Sequence, residues 1–126
     1  MKNPGIIYTF PYFSSSVDEY ESICEKALST PTSTEQLFQL KDEIEMIREK
    51  TLPQMQHEVT EYVKKYVFLA EYTQLSPLVS KLQSQAIQWC NRMPAVLEEH
   101  QTIIAKKSIE FQEALKVNDF LHINLI

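Results

Sequence analysis

Glycine is almost missing from this chain: Gly5 is the only one in 126 residues, where average usage gives roughly nine. Tight β-turns, bulges and phosphate-cradling loops draw on glycine's access to positive φ. The shortage therefore argues for helices joined by proline, serine and threonine. It also sets aside the usual nucleotide-binding loops, since neither GxGxxG nor GxxxxGK[ST] can be written without glycines. Positive charge is scarce as well. The formal net charge is −5, and the only basic doublets are Lys64-Lys65 and Lys106-Lys107. Counterion-releasing binding to nucleic acid needs a concentrated basic surface, and recruitment to an anionic membrane needs a polybasic cluster. Neither partner is expected. No apolar run approaches the ~20 residues that cross a bilayer.

Cysteine is represented by Cys24 and Cys90 alone, without CxxC or Cys/His spacing. A disulfide between them is allowed by count. With no signal-peptide pattern and no Asn-x-Ser/Thr acceptor, the expectation is two partly buried thiols in a soluble, cytoplasmic protein. His57, His100 and His122 lie far apart, and none stands in HExxH or in the Glu-x-x-His pair of bundle di-metal sites. No GxSxG nucleophile elbow occurs. We therefore expect no catalytic residue, no metal site, no cofactor and no small-molecule ligand. The acidic groups Asp18-Glu19-Glu21, Asp42-Glu43-Glu45 and Glu98-Glu99 read as solvated helix faces or first turns.

What the chain does have is apolar residues at helical spacing. With 44% hydrophobic and 23% charged residues the composition is globular, enough for one domain with a modest core. The expected fold is all-α, with several antiparallel or stacked amphipathic helices. Residues 1–13 stand apart: Ile6, Ile7, Tyr8, Phe10, Tyr12 and Phe13 crowd around Pro4 and Pro11. Prolines and β-formers there suggest an extended aromatic arm, followed by a helical region over 14–126.

Ser16-Val17-Asp18-Glu19 reads as a capping box opening a helix near 17–28, and Ser33-Thr34-Glu35-Gln36 opens another near 34–50. In the second, Leu37, Leu40, Ile44 and Ile47 form a 3-4-3 row. The row then slips by one residue and resumes as Leu52, Met55, Val59, Tyr62, Tyr66 and Leu69. One residue of slip turns the row by roughly 100° at 3.6 residues per turn. Pro53 stands at that point and is welcome in a first turn, so two helices, the second near 52–72, are favoured over one kinked helix. Ser76-Pro77 starts a helix near 77–90 carrying Leu78, Leu82, Ala86 and Trp89 on one side. Met93-Pro94 marks a further break. A last helix near 95–118 presents Leu97, Ile104, Phe111 and Leu115. Tyr62, Tyr66 and Tyr72 could stack a ligand, but helix-packing positions with hydroxyls at the rim are the simpler reading. Trp89 is read as core before interface anchor. Ser76-Pro77 and Thr30-Pro31 resemble proline-directed phosphorylation sites, although helix capping and stopping account for both.

Several of these elements occur together in one order. They are Glu25-Lys26-Ala27-Leu28-Ser29-Thr30-Pro31 with Thr34-Glu35-Gln36-Leu37, the Leu52-Pro53 start, Phe68-Leu69 leading to Leu75-Ser76, and Gln88-Trp89. Pro94-Ala95-Val96-Leu97-Glu98-Glu99-His100 follows, running on to Phe111-Gln112-Glu113-Ala114-Leu115. Over residues 16–118 the chain resembles the tail of axonemal dynein heavy chains, in the helical segment just before the linker, with the inner-arm type favoured. The resemblance implies a structural role in a ciliary microtubule motor, with other tail segments and dynein intermediate or light chains as partners and the axoneme as location. It carries no catalytic residue over, since the family's ATPase ring and stalk are not in this stretch. Phe120 to Ile126 departs from the charged helix expected next, which suggests a short isoform, a partial gene model or an excised piece. The competing reading is an independent helical-bundle adaptor that takes a partner helix in a groove. A tail segment should expose apolar stripes, whereas an adaptor should show one concave apolar groove. A bundle enzyme or ligand carrier should instead enclose a pocket with converging polar groups.

Overall fold

In a computed structural model of the chain, the backbone is described over residues 4–125 and the side chains over 12–117. All regular structure among these residues is helical. Helix α1 spans Pro4–Ala27, and α2 spans Thr34–Met46. A five-residue π-turn, Ile47–Thr51, joins α2 without a gap to α3, Leu52–Ala70. Helix α4 runs for 49 residues, Pro77–Leu125. The chain is thus three long rods, the middle one being α2, π-turn and α3 together.

Cross-helix contacts fix the directions. Lys26 of α1 pairs with Glu43 of α2 at 2.9 Å, and Tyr12 stacks on Tyr62 of α3 with centroids 3.8 Å apart. Rising numbers meet falling ones, so the middle rod is antiparallel to α1. Tyr20 meets Cys90 and Ala27 meets His100, so α4 is parallel to α1. The result is an up-down-up bundle. Its core gathers Phe13, Val17, Tyr20, Ile23 and Ala27 from α1. The middle rod adds Leu37, Leu40, Ile44, Met55 and Val59, and α4 adds Val79, Ala86, Met93, Val96 and Ile104.

Two expected helix starts are present as read. The Ser33 hydroxyl accepts from the Gln36 amide at 3.2 Å, and Gln36 reaches back to the Thr32 amide at 3.0 Å. Ser76 caps α4, accepting from the Leu78 amide at 3.2 Å. Three other boundaries need correction. The expected extended arm over 1–13 is overturned from Pro4 onward, where the chain is already α1; residues 1–3 lie outside the described residues. Pro4 at the first helical position loses no bond, Pro11 is carried inside α1, and the apolar row Phe13-Val17-Tyr20-Cys24-Ala27 keeps helical spacing back to the last residue of the supposed arm. Ser16 therefore caps nothing. It is buried inside α1, and its Oγ has no hydrogen-bond partner among the described residues.

The second correction concerns Pro53, which does not separate two helices. The Leu52 amide bonds to the Ile47 carbonyl, five residues back, so the π-turn takes up one extra residue. That residue is the slip in the apolar row. Leu52, Met55 and Val59 stay on the face set by Leu37, Leu40 and Ile44, and the expected 100° rotation does not occur. Pro94 is the third, since it lies inside α4. A mid-helix proline costs about 3 kcal/mol, but fully burying one apolar side chain contributes about 1.5–3 kcal/mol. Met93 and Val96, at 3% and 7% exposure, offset it.

The phase argument has a direct test in thermal unfolding followed by circular dichroism. Deleting Glu49 together with Pro53→Ala removes the extra residue and should leave a cooperative transition. Deleting Glu61, where no π-turn absorbs the change, should rotate the rest of α3 by about 100° and abolish it.

Candidate interaction surfaces

Besides the Lys26–Glu43 pair, three polar contacts tie the rods together. The Tyr20 hydroxyl and the Cys90 thiol lie 3.1 Å apart between α1 and α4, and the Tyr20 ring is parallel to Trp89. His100 Nδ1 lies 3.0 Å from the Ala27 carbonyl. With its proton on that nitrogen, His100 caps the last turn of α1, whose carbonyls have no helical donor. Tyr66 bonds to Ser80 across the α3–α4 hairpin. Cys24 and Cys90 are both thiols. Burial pushes the Tyr12 phenol pKa up, helped by the Glu58 carboxylate. Burial likewise raises that of Tyr20, with the Cys90 contact next.

Of the residues expected in packing rows, Leu37, Leu40, Ile44, Met55, Val59 and Ile104 are buried. Ile47, Leu52, Tyr62, Tyr66, Leu82, Trp89, Leu97 and Phe111 are half-buried against the core, as is Leu69 at the rim. Leu115 is corrected: it is 57% exposed. At 1.5 Å per residue, the 49 residues of α4 reach about 73 Å and the 37-residue middle rod about 55 Å. The tip of α4 therefore overruns its partners. Leu78 is also exposed, and Val79 takes the inward position. Val79, Met93 and His100 were missed. They complete a row 79-82-86-89-93-96-100-104 that never leaves phase, a signal hidden where Pro94 reads as a break.

Beyond Phe38, Met46 and Ile87, the exposed large apolar side chains gather towards the two ends of the bundle. At one end are Val67, Phe68, Tyr72 and Leu78, with the Phe68 and Tyr72 rings 5.0 Å apart. At the other are Ile109, Leu115 and Val117 on α4. Between them, on the α3–α4 face, lies a solvent-open notch of about 190 Å³. Buried Tyr20 and Met93 form its floor, half-buried Leu52, Cys90 and Leu97 its walls, and exposed Arg48, Pro53, Gln56 and Pro94 its rim. No group of metal-ligating side chains gathers among the described residues, and no described helix is long and apolar enough to cross a membrane. No family model matches the sequence, and no solved structure matches the fold.

Truncations should separate core from end patch. Ile44→Ala, at a fully buried site, should cost about 2–5 kcal/mol in urea unfolding. Leu115→Ala should stay within about 0.5 kcal/mol.

Buried Tyr20 and half-buried Tyr12 set an alkaline limit. With pKa values raised on folding, Tyr12 and Tyr20 hold their protons more tightly in the folded chain. Their stabilising contribution is complete below the ordinary tyrosine pKa of about 10 and is lost as pH rises above it. Tyr20→Phe should flatten that loss in unfolding measured from pH 8 to 12.

Proposed function

We propose that this chain is a structural, non-catalytic segment of a helical assembly, of the kind found in the tail of an axonemal dynein heavy chain. The observation that carries the structural half is the pair of exposed apolar patches at opposite ends of one bundle. Clusters of this kind mark sites that neighbours cover. Patches at both ends suit a segment with a helical neighbour before it and another after it. From Leu78 to Val117 they are separated by about 58 Å along α4. A free-standing adaptor has no need of two exposed apolar ends.

The dynein half rests on the ordered sequence elements over residues 16–118. The bundle is compatible with them: its middle is closed, and its ends are left to neighbours. Its work there would be to hold the stem's shape and to present surface to adjoining tail segments and to intermediate or light chains.

A photo-crosslinking amino acid at Phe68 and, separately, at Leu115 tests both halves in axonemal extract. The expected outcome is adducts with dynein tail polypeptides from both positions, different at each. Adducts from one position alone would favour the adaptor. Adducts with proteins that do not extract with the dynein arms would remove the dynein assignment.

A further inference from the structure

The notch between α3 and α4 has features that the end patches lack. Its floor is Tyr20, 1% exposed, and Met93, 3% exposed, so it reaches the core. Pro94 has no N–H to give to the carbonyl of Cys90, four residues back, and both residues line the notch. Arg48, on the π-turn, stands at the rim and makes no ion pair among the described residues. In a chain of net charge −5, an unpaired guanidinium beside an apolar hollow is a local reversal of sign.

Size decides between two kinds of occupant. Small-molecule sites usually enclose about 300–1,000 Å³, whereas this notch holds about 190 Å³ and opens sideways. That is room for one large side chain. The best-matched side chain is aromatic with an N–H or O–H, because a buried indole or phenol seeks an acceptor and the Cys90 carbonyl lacks its helical donor. Next to it, a carboxylate would meet Arg48.

We propose that the notch receives one tryptophan or tyrosine of an acidic amphipathic helix from a neighbouring polypeptide, with Arg48 pairing to a carboxylate beside that anchor. The α3–α4 face then takes a fourth helix, and the π-turn serves to aim Arg48 as well as to keep phase. The inference rests on the reading that this chain packs against helical neighbours, but not on which assembly they belong to.

The test uses the chain labelled with 13C at its methionine methyls, titrated with N-acetyltryptophan and with N-acetyltryptophanamide. The Met93 methyl should shift saturably, with the carboxylate form bound about fivefold more tightly than the amide. Arg48→Gln, a surface change, should erase that preference and leave the thermal transition unchanged. Leu97→Trp fills the hollow and should abolish the shift. A Met93 methyl that neither probe moves overturns the proposal, as does a carboxylate preference that survives Arg48→Gln. If the Met93 shift appears and the axonemal crosslinks do not, the notch stands and the dynein assignment falls.

Discussion

A helix that forms one wall of a bundle must keep its apolar row facing inward along its whole length. In this chain that condition falls on the five residues Ile47–Thr51. Without the wider turn there, either Leu37, Leu40 and Ile44 or Met55 and Val59 would face inward, but not both sets. The π-turn lets one unbroken rod of 37 residues meet α1 along most of its length, placing Lys26 by Glu43 and Tyr12 on Tyr62 at well-separated points. Geometry at one turn thus sets the contacts of both halves. Pro53 fits this arrangement because it follows the wide turn, where the regular i→i+4 ladder is already interrupted.

With the rows aligned, apolar packing alone leaves the register of three smooth rods weakly defined. The polar contacts narrow it. Tyr20 with Cys90 and His100 with Ala27 fix α4 against α1 at two points, and Tyr66 with Ser80 fixes α4 against α3. Sliding α4 by one turn would separate all three and strand a buried imidazole. Leaving such a group unsatisfied costs about 1–3 kcal/mol, against a net gain of roughly 1 kcal/mol for making the bond. The asymmetry makes these contacts selectors of one register more than sources of stability. The surface pair Lys26–Glu43 is half-exposed and counts for little in that choice.

Much of this was legible in the residues. Glycine scarcity and 3-4 spacing gave the all-helical class, and Ser33 and Ser76 gave two helix starts that the structure keeps. The three errors share a cause. Pro4, Pro53 and Pro94 each read as punctuation when local propensity stands without the burial that offsets it. At Pro94 the surrounding row was in phase, from Leu82 and Ala86 to Val96 and Ile104, which is the signature of a helix that continues. At Pro53 the row slipped by one residue, the signature of a π-turn, and a break explains that slip equally well until the two sides are seen to share a core. The notch was not legible at all. Tyr20, Arg48, Met93 and Leu97 come from three rods, and nothing in their spacing brings them together.

The distribution of apolar surface bears on what kind of object this is. A domain that works alone gains nothing from leaving Phe68, Tyr72, Leu115 and Val117 in water, and risks association through them. Here the middle of the bundle is closed, with Ile44, Val79 and Ala86 at 1% exposure or less, so the exposure at the ends is not a symptom of poor packing. Most of the exposed apolar surface lies from Ile109 onward on α4 and around the α3–α4 turn, while Phe38, Met46 and Ile87 are exposed along the rods.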